Sequence, residues 1–178
     1  LVRLKELVQM GTGAIEIKAV TFKAPVTIRT NTTGGGTITV AEAIACTGDA
    51  SFEIIGANAT TNLNANIVTV GAAITINDSV VLGSSTILLN TTDGGDADGA
   101  NISISGTTNS ATDADNSLIM NAGNVGTITL TGAVGNLVGG ELGTITITDS
   151  NGATFVSTVE AAALTIADTK ATGTVAVQ

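Results

Sequence analysis

The sequence predicts an all-β protein built as a parallel β-solenoid, a stack of coils around one core. Gly-Thr-Ile-Thr-Leu-Thr-Gly at residues 126–132 recurs in similar form at residues 143–149 and 162–168. In each copy large aliphatic residues alternate with mostly small or polar ones, the period of a strand with one buried face. The copies begin about 17 and 19 residues apart, too close for a helical crossover but enough for one lap of short strands. An antiparallel β-sandwich is the alternative fold.

Composition supports one folded domain rich in strands and turns. The 178 residues include 22 Gly, 31 Thr and 14 Asn, and 43% of the chain is hydrophobic, which is too apolar for a disordered chain. We therefore predict a single solenoid domain over residues 1–178, and we expect it to be a fragment or one unit of a longer assembly. At ~20 residues and ~4.8 Å per lap, it would have about eight or nine laps and a length of roughly 40 Å.

The charge and the cysteine content limit the kinds of partner and site that we expect. The net charge is −9, and five of the six basic residues lie within the first 30 positions. An acidic surface repels phosphate, so we expect no binding to nucleic acid. Cys46 is alone and is predicted to be a buried apolar residue. No apolar run approaches the ~20 residues of a membrane-spanning helix, so we expect no membrane insertion of this segment, and no signal peptide is recognisable at its start.

The chain begins differently from the rest. Leu4, Leu7 and Val8 would share one face of a helix, and residues 1–13 are predicted to form a short N-terminal helical cap over the open end of the solenoid. Pro25, the single proline, is predicted at a corner or at an edge and not in a central strand. Farther on, strands of four to five residues alternate with Gly, Asn, Asp and Ser. Asn is suited to corners because it tolerates left-handed backbone angles and its amide can bond along a stack.

Several strand repeats carry a family resemblance. Residues 100–106, 117–123, 126–135 and 142–148 resemble the strand-repeat passengers of large bacterial surface adhesins, of the filamentous haemagglutinin and autotransporter type. The resemblance covers roughly residues 31–178 and includes no catalytic motif. It implies a right-handed parallel β-helix that is secreted and displayed at the bacterial cell surface for adhesion or construction.

The residues offer little for catalysis. The chain has no His, Trp or Tyr, so it lacks the imidazole of common nucleophile systems and the aromatic platforms that bind sugar rings. We therefore expect that the protein is not an enzyme and needs no cofactor, with calcium as the exception to test. Asp93, Asp96 and Asp98 lie among glycines that would let the backbone offer carbonyls to Ca²⁺. A solvated acidic loop is the alternative that we favour.

Two further features bear on function. Thr-Ile-Thr triplets begin at Thr37, Thr127 and Thr144 and suggest the flat threonine ranks of ice-binding solenoids, although other repeats lack them. At the C-terminal end, Val175 and Val177 lie in an uncharged strand that we expect to bury against a second copy or against a continuation of the chain. The sequence thus predicts a non-enzymatic extracellular structural or adhesive solenoid, with a calcium- or ice-binding module as the alternative. It does not identify a receptor.

Overall fold

The computed structural model describes residues 4–30, 36–170 and 173–178, with the side chains of residues 57–59 outside that description. The described chain consists of short strands, one 3-10 turn at Asp93–Gly95, and no α-helix. The strands are β1 (Glu6–Gln9), β2 (Ile15–Ile17), β3 (Val20–Phe22), β4 (Val26–Thr30), β5 (Ile38–Val40), β6 (Ile44–Cys46), β7 (Phe52–Leu63), β8 (Ile67–Thr69), β9 (Ile74–Leu82), β10 (Thr86–Asn90), β11 (Ile102–Ile104), β12 (Thr108–Ser110), β13 (Ser117–Asn121), β14 (Ile128–Leu130), β15 (Leu142–Asp149), β16 (Ala153–Phe155), β17 (Ala161–Ile166) and β18 (Val175–Val177).

These strands form a parallel β-solenoid with three faces. Face 1 runs in the order β1-β4-β7-β9-β11-β14-β16-β18. Face 2 contains β2, β5, the second halves of β7 and β9, and β12, and it continues through single bridges at Val134 and Val159. Face 3 is the seven-stranded sheet β3-β6-β8-β10-β13-β15-β17. Every pairing between these strands is parallel, which excludes the antiparallel sandwich.

The described residues make seven laps and begin an eighth at β18, fewer than the eight or nine predicted. Glu6 pairs with Thr27, 21 residues on, and Thr75 pairs with Ser103, 28 residues on, so the laps are longer than the repeats suggested. The spacing of 17 residues was misleading because residues 126–132 contain β14 on face 1, whereas residues 143–149 lie in β15 on face 3. Only the spacing of 19 is a lap, since Ile145 of β15 pairs with Leu164 of β17.

The core consists of apolar columns that run parallel to the solenoid axis. In a three-residue strand the outer two side chains point inward, and the parallel register places like side chains above one another. One column of face 1 contains Ile28, Ile54, Ile76, Ile104, Leu130, Phe155 and Val177. The first six of these side chains are at most 1% exposed, so the columns are filled along most of the axis. At ~4.8 Å per strand, the eight strands of face 1 span roughly 34 Å.

The predicted N-terminal helical cap is wrong. Residues 6–9 form the strand β1, which pairs with β4 through Leu7↔Ile28 and its neighbours, and residues 1–3 lie outside the described residues. A strand is favoured here because the edge of β4 offers unpaired N–H and C=O groups that a helix laid across it would leave unsatisfied. The Thr27 N–H, for example, donates to the carbonyl of Lys5 at 3.0 Å. These backbone hydrogen bonds outweigh the helical spacing of Leu4, Leu7 and Val8.

Corners between strands are formed by residues of the predicted types. Pro25 lies directly before β4, at a corner, as the sequence indicated. Asparagine side chains bond between laps: Asn66 Oδ1 accepts from the Leu88 N–H at 2.9 Å, and Asn101 Oδ1 accepts from the Thr127 N–H at 2.9 Å. These bonds hold neighbouring corners in register, because they satisfy backbone donors where the strand ladder is interrupted.

Candidate functional site

The C-terminal end of the solenoid exposes side chains that belong to the core columns. Val175 and Val177 of β18 pair with Ala153 and Phe155 of β16, and the outer edge of β18 has no partner within the described residues. Val177 is 56% exposed. The residues predicted as an assembly edge therefore lie at the end of a column, while their burial against another chain stays a prediction.

Face 3 ends in the same way, and the sequence did not reveal it. Leu164 and Ile166 of β17 continue the columns of Ile145 and Ile147, which are fully buried, yet they are 37% and 40% exposed. They are exposed because no described strand covers β17 on its outer side. Their pattern is that of any other repeat, so only the assignment of laps to faces could have shown that they form an end.

The N-terminal end of the solenoid is basic, whereas the rest of the chain is acidic. Lys5, Lys18, Lys23 and Arg29 lie in the first lap or at the start of the second, whereas 13 of the 15 acidic residues and one of the six basic ones lie beyond residue 30. Arg29 forms an ion pair with Glu6 across the β1–β4 pair, and both side chains are more than 40% exposed. The solenoid is therefore basic at one end and acidic along the rest of its length.

The one basic residue of the acidic part stabilises a buried carboxylate oxygen. Lys170 Nζ lies 3.4 Å from Asp149 Oδ1 and 3.3 Å from Asp168 Oδ2. Asp149 Oδ1 is buried and makes no hydrogen bond of good geometry with a described residue, so this ion pair is its compensation. Partial burial lowers the pKa of Lys170, but the two carboxylates outweigh it and the pKa is raised. These contacts favour a structural role for Lys170.

The acidic loop turns as predicted, but its acidic side chains do not converge. Gly94, Gly95 and Gly99 adopt positive φ angles. Asp96 Oδ1 accepts from the Asp98 N–H at 3.0 Å. The carbonyls of residues 97 and 98 accept the N–H groups of residues 124 and 125, which ties the loop to the next lap. Among the described residues no group of three acidic, His or Cys side chains is placed to hold a metal ion. Calcium binding by Asp93, Asp96 and Asp98 stays a prediction.

The threonine triplets do not form a common rank. Thr37 precedes β5 on face 2, Thr127 precedes β14 on face 1, and Thr144 lies in β15 on face 3. The register instead aligns a different set on the outside of face 1 over four successive laps, namely Thr75, Ser103, Thr129 and Thr154. This hydroxyl rank mixes residues from Thr-rich and Ser-rich repeats, which is why the sequence alone suggested that the ranks were broken.

One carboxyl is enclosed by the corner between faces 1 and 2. Asp78 is 7% exposed, and its Oδ2 and Oδ1 accept hydrogen bonds from the Thr61 hydroxyl and the Ser79 N–H, each at 2.8 Å. Burial raises the pKa of Asp78, although these two hydrogen bonds lower it in part. Gly56 lies against the carboxyl, where a Cβ would collide with it. Asp78 thus packs the corner between the two faces.

The single cysteine is a core residue. Cys46 is 1% exposed and lies in the buried face of β6, as the sequence predicted. Burial raises the pKa of its thiol to about 11. Because the thiolate is the reactive form, this cysteine is protected from oxidation and alkylation while the coil around it is folded.

Comparisons with other proteins add no family. No protein-family model, no curated protein and no solved structure matches the chain. Within the described residues there is no helix long and apolar enough to cross a membrane.

Proposed function

We propose that the chain is a non-enzymatic structural and adhesive module of a bacterial cell-surface protein or filament. The observation that carries the proposal is the uninterrupted apolar column of face 1, which ends in the exposed side chain of Val177. A stack held by columns and inter-lap hydrogen bonds gives a stiff spacer whose length grows with each lap. Right-handed winding, secretion and display follow from the adhesin resemblance and belong to the proposal.

The fold suits this role because the residues that stabilise the solenoid differ from the residues that would contact a partner. The columns lie inside the solenoid, whereas the outward ranks of the three faces are free to vary without affecting them. Long, flat faces present many weak contacts, which is how a spacer can also adhere to a surface. The partner that such a face would contact is a cell-surface receptor of unknown identity.

Antibody labelling of intact cells tests the location. Antibodies raised against the folded chain should label intact cells of the source organism as strongly as permeabilised ones. Labelling that requires permeabilisation would overturn the extracellular location. For adhesion, beads coated with the folded protein should bind host matrix proteins better than beads coated with the heat-unfolded chain. Turnover of a polysaccharide by the purified protein would place it in another functional class.

The hydroxyl rank of face 1 favours ice binding as a second candidate. Thr75, Ser103, Thr129 and Thr154 are spaced by one lap, about 4.8 Å, and the exposed Asn77, Ser105 and Thr131 flank them on one side. The test is thermal hysteresis of the purified protein. A Thr129→Lys variant should lose any hysteresis that the wild type shows, whereas Thr146→Lys on face 3 should keep it. If the wild type shows none, the candidate is rejected.

A further inference from the structure

The two ends of the solenoid do not match strand for strand. Within the described residues face 1 contains eight strands, β1 through β18, whereas face 3 contains seven. Face 2 also has seven positions, from β2 to the bridge at Val159. A second copy moved along the axis by seven laps would continue faces 2 and 3 without a gap. Its β1 would then fall on the position that β18 of the first copy already occupies.

We propose that copies of this chain join head to tail by strand replacement, with β18 of one copy taking the place of β1 in the next. The inference rests on the structural role proposed above and specifies how its units connect. In the junction, β18 would pair with β16 of its own chain and with β4 of the next copy. The displaced β1 would leave the sheet. If β1 stayed between β18 and β4, face 1 would gain a strand that the other faces lack, and they would be held about 4.8 Å apart.

Side-chain columns favour the replacement. Val175 and Val177 continue the two inward columns of face 1, and across the junction they would meet Val26 and Ile28, the first members of those columns in the next copy. The strand now at that position fits less well. Glu6 pairs with Thr27, so Leu7 lies beside Ile28. The same register places Lys5, the residue before Glu6, opposite the buried Val26. β18 would bring two valines where β1 brings a lysine and one leucine.

In the same arrangement, apolar residues of the two copies would also meet on faces 2 and 3. On face 2, Val159 would lie next to Ile15, the first residue of its column. On face 3, Ile166 would lie next to Val20, which begins the column that ends at Ile166. Ile166 is 40% exposed in the single chain, and both Val20 and Val159 are partly exposed. One translation therefore covers the apolar ends of all three faces at once.

β1 is held weakly enough to be displaced. Leu7, which lies beside Ile28 on the inward face, is 39% exposed, and the Glu6–Arg29 ion pair lies at the surface, where such pairs contribute little. Charge also favours unlike ends, because the first lap is basic and the last laps are acidic. Since the joined ends differ, the contact does not close on itself and would generate an open filament.

Engineered cysteines distinguish the two junctions. If β18 replaces β1, Ala176 lies beside Thr27 of the next copy, and paired parallel strands are close enough for a disulfide. If β1 is retained, Ala176 lies beside Glu6 instead. We would oxidise the variants Ala176→Cys/Thr27→Cys and Ala176→Cys/Glu6→Cys under native conditions, block free thiols, and count covalent multimers on a denaturing gel. The control is Ala176→Cys/Thr39→Cys, which places the second cysteine on face 2.

Multimers from the Thr27 variant but not from the Glu6 or Thr39 variants would support strand replacement. Multimers from the Glu6 variant would overturn it in favour of simple stacking, and multimers from the Thr39 control or from none of the three would overturn it as well. These outcomes are independent of cell-surface labelling. A negative cross-linking result would therefore overturn strand replacement but not the structural role. A negative labelling result would overturn the extracellular location but not strand replacement.

A single substitution gives results of opposite sign for the two junctions. Leu7→Lys removes the one leucine of β1 that lies beside the core residue Ile28, so replacement should become easier and association in sedimentation experiments roughly fivefold tighter. Met10→Lys adds the same charge outside the strand, at a side chain that is 71% exposed, and is the matched control. Weaker association of Leu7→Lys than of the control would overturn the proposal. Faster hydrogen exchange of residues 6–9 on association would support it.

Discussion

The ring of Phe22 stacks on the ring of Phe52, with centroids 6.2 Å apart and planes inclined by 29°. Phe22 lies in β3 on face 3 of the first lap, and Phe52 lies in β7 on face 1 of the third. The contact therefore crosses the interior of the solenoid and links laps that are not adjacent. It supplements the ladder hydrogen bonds, which join only neighbouring laps.

This stack predicts a measurable coupling between the two phenylalanines. In a double-mutant cycle with Phe22→Leu and Phe52→Leu, the coupling free energy of unfolding should be about 1 kcal/mol, because aromatic pairs contribute beyond the area they bury. The measurement is chemical denaturation of the four proteins. Phe52 with Phe155, four laps away in the same core, is the control pair and should be additive within about 0.5 kcal/mol. Equal coupling in both pairs would contradict a specific stack.

The buried Asp78 predicts how stability depends on pH. Its folded pKa lies above the ordinary value of 3.8, so between these two values the folded state binds more protons than the unfolded state. The contribution of this group to the unfolding free energy therefore falls as pH rises through that window. Relative to wild type, Asp78→Asn should gain stability between pH 3 and pH 7, measured by urea denaturation. A difference between the two proteins that does not change with pH would contradict this account.

The sequence predicted the class of fold but not its dimensions. Alternation within residues 126–132 and 143–149 is a local property, and it correctly indicated parallel coils with inward apolar columns. Which face a strand joins depends on corner length, and nothing in the two phrases marks one for face 1 and the other for face 3. That ambiguity shortened the predicted lap and raised the predicted number of laps.

The candidate site was predictable in part for the same reason. Val175 and Val177 were predicted to lie at an edge because their strand is uncharged, and their burial against another chain stays a prediction. Leu164 and Ile166 were missed because their exposure depends on the strand that would cover them, not on their own residue types. The first strand was mistaken for a helix because Leu4, Leu7 and Val8 fit a helical spacing, whereas pairing with β4 is a non-local contact.

Two glycines with nearly the same backbone angle predict unequal effects of alanine. Gly48 and Gly99 have φ angles of 64° and 60°, so either substitution strains the backbone. A Cβ on Gly48 would meet nothing within 4 Å, whereas one on Gly99 would collide with the carbonyl of Ala122 in the next lap. Gly48→Ala should lower the unfolding free energy by about 1 kcal/mol and Gly99→Ala by about 3 kcal/mol or more. Equal losses in thermal or urea denaturation would show that backbone strain alone accounts for both.

The exposed end of face 1 predicts that charge placed there prevents association without unfolding the chain. Val175→Lys/Val177→Lys puts two ammonium groups where the columns of β16 end, and any apolar partner would have to desolvate them. End-to-end association, measured by light scattering over a range of concentrations, should be abolished.

Burial of the Cys46 thiol provides the folding check, because the folded variant should resist alkylation at pH 8 as the wild type does. Leu137→Lys/Val138→Lys is the matched control, since it adds the same charge at side chains that are 52% and 92% exposed in the loop between Val134 and β15, outside the core columns. Association that is unchanged in the Val175/Val177 variant, or equally lost in the control, would refute the proposed contact.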